Sequence, residues 1–287
     1  MSPRIVLLLA LGVLPAAAQP GVVFESEARL VEVYVTVLDR QGRFVDGLTR
    51  GRFQVTDNGQ PRPIVAFETV AADLSCAILL DTTGSMARAL PVVKNAILRM
   101  LDRMRPNDEV AVYGFSATLT LLQGFTTDKS AAKKAVLEVR AQGRTALFDA
   151  LSQVSREISR RAGKKVIVAF TDGLDNASVL HSEAALTRAR KVGALVYTVA
   201  QGEALQSSAL AGQLKEIARR TGGQAYQARQ ARDVERVFQD ISEDLRHTYL
   251  LAYKPPPASD GKWRTIQVAV GDLPGAKVRA KEGYFPE

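Results

Sequence analysis

Two short runs, Cys76-Ala-Ile-Leu-Leu80 and Val166-Ile-Val-Ala-Phe170, contain no polar side chain, and each stops at oxygen-bearing residues, Asp81 in one case and Thr171-Asp172-Gly173 in the other. Apolar runs without alternation belong to strands covered on both faces, as inside a parallel sheet. The segment after the first run repeats at helical spacing. Val93, Ile97, Met100, Leu101 and Met104 share a face, Lys94, Arg99, Asp102 and Arg103 turn away, and Pro91 falls in or near the first turn, where it is tolerated. Further strands are expected at residues 109–115, 120–123, 195–199 and 224–226. Further helices are expected at about 130–139, 146–158, 182–191, 209–219 and 233–246. Strand alternating with helix predicts a doubly wound, Rossmann-like α/β domain over residues 74–246.

The pattern on either side is different. In Leu30-Val-Glu-Val-Tyr-Val-Thr-Val37 the valines 31, 33, 35 and 37 share one face, with Leu30, Glu32, Tyr34 and Thr36 on the other, so a strand with one buried face is expected. A turn at 39–42, a strand at 53–55 and a tight hairpin at Asp57-Asn58-Gly59 before a strand at 64–68 follow. β patterning returns at 248–253, breaks at Pro255-Pro256-Pro257, and resumes at 263–270 and 278–285. Each flank has about three strands and little core of its own. The N-terminal segment 22–70 and the C-terminal segment 247–287 are therefore expected to join into one small β-sandwich, with the α/β domain inserted between its halves.

Arg4, the apolar run 5–14 and Ala16-Ala17-Ala18 before Gln19 have the order of a secretory signal peptide over residues 1–18. The run is shorter than the roughly 20 apolar residues of a spanning helix, so no membrane span is expected in the mature chain. A secreted or periplasmic location follows, and no lipobox cysteine succeeds the leader. Cys76 is the single cysteine, which excludes an intramolecular disulfide and suits a buried small hydrophobe. The net charge of +8 suits acidic partners, but the basic residues are scattered and aromatic content is 6%. A basic stripe with stacking residues is absent from the sequence, so nucleic acid is not an expected partner.

Ligands of doubly wound sheets bind in the crevice outside the carboxyl ends of the strands. Three oxygen-rich loops fall at that edge: Asp81-Thr-Thr-Gly-Ser85, the loop holding Thr145, and Thr171-Asp172-Gly173. Thr83, Ser85 and Thr145 offer neutral hydroxyls, while Asp81 and Asp172 offer charge. An all-oxygen set points to a hard divalent ion, Mg²⁺ or Mn²⁺ before Zn²⁺. Two carboxylates only balance such an ion, which keeps Lewis acidity for an outside carboxylate. The same residue types also serve as helix caps and turn formers, and Gly84 and Gly173 suit ordinary close turns.

The segment Asp81-Thr-Thr-Gly-Ser85 resembles the Asp-x-Ser/Thr-x-Ser signature of von Willebrand factor type A (VWA) domains. Gly143-Arg-Thr-Ala-Leu-Phe-Asp-Ala-Leu151 and Thr171-Asp-Gly173 resemble that family's second and third metal loops. The resemblance covers about residues 74–246. It implies a metal site of the MIDAS type on Asp81, Thr83, Ser85, Thr145 and Asp172, with Thr83 standing where many members have Ser. It also implies a sheet with one antiparallel edge strand, helices on both faces, and metal-dependent cell adhesion or complex assembly through a partner's Asp or Glu. Movement of the last helix, 233–246, on ligand binding is a further implication. The chain is similar as well to secreted bacterial VWA-related proteins with flanking β segments. Asp149 and Asp175 are placed outside the ligand set, on the following helix and on the rim.

Other functions fit less well. Haloacid-dehalogenase-like phosphatases use Asp-x-Asp, whereas Thr83 leaves no general acid beside Asp81. A Ser-His-Asp hydrolase would have to draw its base from His181 or His247, and the first loop lacks the lysine and glycine spacing of a P-loop. No catalytic role is therefore expected. A metal-independent envelope scaffold is the remaining alternative.

Overall fold

The structure is a computed structural model describing residues 30–69, 73–141, 143–257 and 261–286. The expected leader, 1–18, and the start of the N-terminal β segment lie outside the described residues. The N-terminal strands are β1 (Val31–Leu38), β2 (Phe53–Asp57), β3 (Gln60–Arg62) and β4 (Ile64–Glu68). The chain then builds β5 (Leu74–Asp81), α1 (Leu90–Asp102), β6 (Glu109–Phe115), β7 (Leu119–Thr126), α2 (Lys129–Glu138), α3 (Leu147–Ile158) and β8 (Lys164–Thr171). It continues through α4 (Ser182–Lys191), β9 (Leu195–Ala200), α5 (Ser208–Thr221), β10 (Ala225–Gln227) and α6 (Ala231–Arg246). Four strands close the chain, β11 (Tyr249–Tyr253), β12 (Arg264–Val270), β13 (Lys277–Arg279) and β14 (Gly283–Tyr284).

Six strands form the central sheet in the order β10-β9-β8-β5-β6-β7, parallel except for β7, which runs antiparallel at the edge. Alternate residues of β5 divide between two cores because both its faces are covered. Cys76, Ile78 and Leu80 pack with α1, α2 and α6, whereas Ala77 and Leu79 pack with α3, α4 and α5. The fully apolar run is thereby explained. The doubly wound α/β architecture with additional antiparallel sheets is the expected fold class.

The flanking strands form two four-stranded sheets, β13-β1-β11-β4 and β14-β12-β2-β3. Strands from both ends of the chain meet in each: β1 pairs β11 with Val33 opposite Leu251, and β2 pairs β12 with Val55 opposite Val268. Val33, Val35, Phe53, Val55, Tyr249 and Leu251 fill the space between the sheets. Asp57, fully buried there, accepts hydrogen bonds from Tyr253 Oη (3.1 Å), Tyr284 Oη (2.9 Å) and Arg264 Nε (2.7 Å).

Two expectations need correction. The outer face of β1 is expected to be exposed, yet Tyr34 (8% exposed) and Thr36 (5%) are buried, and within β1 only Glu32 is exposed. Tyr34 joins the core under α1 and α6, and Thr36 Oγ1 donates to Asp244 of α6, because the sandwich lies against the α/β unit. The continuous strand expected at 278–285 is two short strands in different sheets. Gly283 marks the crossing, where a Cβ would stand 2.1 Å from Arg264 O.

Candidate metal centre

β5 and β8 are neighbours with Leu80 opposite Phe170, so Asp81 and Thr171-Asp172 emerge side by side at the carboxyl edge. After Asp81 the chain enters a 3₁₀ turn, Gly84–Ala87. That turn returns Ser85 over the strand end. Asp81 is held from two sides, by Thr83 N–H donating to Oδ1 (2.9 Å) and Thr171 Oγ1 donating to Oδ2 (2.7 Å). Ser85 Oγ donates to Asp172 Oδ1 at 2.8 Å and lies 3.0 Å from Thr83 Oγ1. A serine has one hydroxyl proton, so Thr83 is the donor of that second bond.

Thr145 reaches the same spot from the other side. The amide of Ala146 donates to Ser116 O after β6, and the amides of Asn176 and Ala177 both donate to Thr145 O. Asn176 Oδ1 accepts from Thr145 N–H at 3.2 Å. Its hydroxyl faces Gly173, where a Cβ would stand 3.3 Å from Thr145 Oγ1 and 3.8 Å from Ser85 Oγ. All five residues singled out in the sequence are brought together. Asp81, Thr83, Thr145 and Asp172 are buried, and Ser85 is exposed at the mouth.

Asp149 and Asp175 stand behind the loops. Asp149, on α3, accepts from the amides of Val179 and Leu180, both at 2.9 Å, and Asp175 accepts from the amide of Phe148 at 2.9 Å, capping the start of α3. Each brace ties the second loop to the third. Thr171 and Asn176 orient Asp81 and Thr145 but were not singled out, since a Thr or Asn in such a loop reads as ordinary turn chemistry. His181 is an exposed N-cap residue of α4. His247 is stacked on Phe44 with its Nδ1 2.7 Å from Asp46 Oδ2, beside the sandwich.

Burial raises the Asp81 and Asp172 carboxyls above the usual carboxylate range, and the charge of Asp81 adds to the rise at Asp172. Hydrogen bonds from Thr83 and Ser85 oppose it. Among the described residues neither carboxylate has an ion-pair partner, an expensive state for buried charge unless a cation compensates it. Two carboxylates and three hydroxyls, without sulfur or imidazole, form a donor set suited to a hard divalent cation.

An open doubly wound sheet with three oxygen-rich loops converging at its carboxyl edge defines the class. Residues 76–174 match the sequence model of the von Willebrand factor type A domain. The match lies within the α/β unit, which is thus similar to a VWA domain in sequence over those residues. Similar solved structures include a von Willebrand factor type A protein from Catenulispora acidiphila, with TM-score 0.54 and 15% identity over 92% of this chain and 76% of that one. A share that large extends beyond the α/β unit into the sandwich. Proximal thread matrix protein 1 from the mussel byssus, in a structure with a zinc-occupied MIDAS motif, gives 0.54 at 17% identity over 67% of this chain and 50% of that one. BatB from Bacteroides thetaiotaomicron gives 0.50 at 17% identity over 59% and 98%. At these identities the likeness is one of fold. No curated protein matches the chain.

Proposed function

We propose that this protein is a binding module in which Asp81, Thr83, Ser85, Thr145 and Asp172 hold a divalent cation that takes a carboxylate from an Asp or Glu of a partner protein, in adhesion or complex assembly. The convergence of these oxygen donors around two buried carboxylates without a countercharge carries the reading. The zinc-occupied motif of the mussel protein supports a divalent ion in this fold. The oxygen-only donor set here favours Mg²⁺ or Mn²⁺. When bound, such an ion supplies Lewis acidity toward an incoming carboxylate. The chain's own part is to fix the donors before the ion arrives, through Thr171, Asn176, Asp149 and Asp175. Among the described residues no helix is long and apolar enough to cross a membrane. We place the module outside the cytoplasm, exported by its leader with Gln19 as the first mature residue.

The test is calorimetric titration of Mg²⁺ and Mn²⁺ into chelator-treated protein recovered from the exported fraction, whose N-terminal residue checks the cleavage. Saturable binding by the wild type, abolished in Asp81→Ala and Thr145→Ala, is the expected result. A wild type that binds neither ion overturns the metal reading and leaves a metal-independent scaffold.

A further inference from the structure

Beside the donor cluster lies a cavity of about 270 Å³ whose lining includes Ser85, Asp172, Arg88, Gln201, Gly202 and Arg229. Arg88 closes the 3₁₀ turn of the first loop, and Arg229 lies two residues before α6. Both are exposed, and among the described residues neither guanidinium has a hydrogen-bond or ion-pair partner. Arg161, Arg264 and Arg99, by contrast, are paired with Glu109, Asp57 and Glu235. Gln201 Oε1, a buried atom of a residue in the same lining, also lacks a partner among the described residues.

A divalent ion neutralises the charges of Asp81 and Asp172. Of the residues that line the cavity, Arg88 and Arg229 then carry the remaining charge, while Glu203 and Asp233 stand outside that lining. Guanidinium groups bind carboxylates through paired N–H donors, the geometry that an acidic side chain meets most readily.

We propose that the partner is an acidic peptide segment with two carboxylates, one for the ion and a second received by Arg88 and Arg229. This rests on the metal reading above and adds to it the partner's chemistry. A single carboxylate engages the ion alone, whereas a diacidic segment spans ion and arginines. The pair of arginines thereby separates acidic tracts from isolated Asp or Glu side chains. Exposed charges also make the recognition weaken with salt.

The experiment measures binding of fluorescent Gly-rich peptides to the Mg²⁺-loaded protein. One peptide carries a single Glu; the others carry a second Glu one, two or three residues away. At least one diacid should bind wild type about tenfold tighter than the single-Glu peptide. In the Arg88→Ser/Arg229→Ser variant that advantage should fall to within about twofold, with Mg²⁺ affinity unchanged as the sign that the site is intact. Equal binding of all peptides to wild type overturns the proposal, and so does a diacid advantage that survives in the double variant. Diacid binding that needs the arginines but persists in chelator overturns the ion's role and retains the arginine surface. Absence of any Mg²⁺ binding overturns both.

Discussion

Thr171 is the residue on which the geometry of the site turns. Its hydroxyl, 2.7 Å from Asp81 Oδ2, leaves the other oxygen of that carboxylate to the Thr83 amide, so both oxygens are oriented by the chain itself. Groups that orient a metal ligand from behind affect affinity nearly as much as some ligands do. Thr171→Val keeps the shape and removes the donor. It should weaken Mg²⁺ binding about 10–100-fold by titration calorimetry. Unchanged affinity would mean that the Thr83 amide holds Asp81 unaided. A Thr one position before Asp172 was legible as part of a loop, but its bond crosses to another strand and no local pattern announces it.

Among the elements, α6 links the site to the sandwich. It starts two residues after Arg229, with Gln230 and Asp233 forming a reciprocal cap, and carries Asp244 near its far end. Asp244, 2% exposed, accepts from Tyr197 Oη of β9, from Thr36 Oγ1 of β1 and from the Arg279 guanidinium of β13. One carboxylate thus joins the central sheet, the helix and the flanking sheet. Removing one partner of a buried ion pair strands the other, a loss of about 3–5 kcal/mol. Asp244→Ala should therefore destabilise the protein by that amount in urea unfolding. A loss below about 1 kcal/mol would show that Arg279 finds water instead. The joint also bears on the helix movement that the family resemblance implies, since any shift of α6 has to carry or break these bonds.

At the scale of the whole molecule, Lys164 lies buried where the α/β unit meets the sandwich. Its Nζ donates to Thr248 Oγ1 (2.8 Å) and Leu245 O (3.2 Å) and sits 5.7 Å from the Tyr34 ring centroid. Burial lowers its pKa from 10.5 to about 8, with Asp244 opposing and Arg279 and Arg105 adding to the shift. The folded state therefore releases the proton before the unfolded state does. Below pH about 8 both states hold it and the full cost is present; between about 8 and 10.5 the unfolded chain binds more protons and this contribution to stability rises with pH. Lys164→Met removes the ionisation. The stability difference between wild type and variant should move in favour of wild type by on the order of 3 kcal/mol across that window, read from denaturation at several pH values. A difference independent of pH would show that Lys164 keeps an ordinary pKa.

Local periodicity determined the α/β class, since a run such as Cys76–Leu80 has no solvent face to offer and a helix face such as Val93, Ile97 and Met100 must find a sheet. It also put Asp81 and Asp172 on one edge, because the ends of parallel strands lie there whatever the helices do, whereas Thr145, in the loop between α2 and α3, is singled out through the resemblance to the VWA motifs. Tertiary structure decided what stands opposite each face. Tyr34 and Thr36 read as an exposed face until α6 covers them, and the stretch after Arg279 reads as one strand until the chain crosses between sheets. Thr171 with Asp81, Asp244 with Arg279, and Arg88 with Arg229 are likewise pairings across distant parts of the chain. Periodicity records how a segment is polarised, but not which distant segment completes it, and charge and hydrogen-bond partners are set by that second segment.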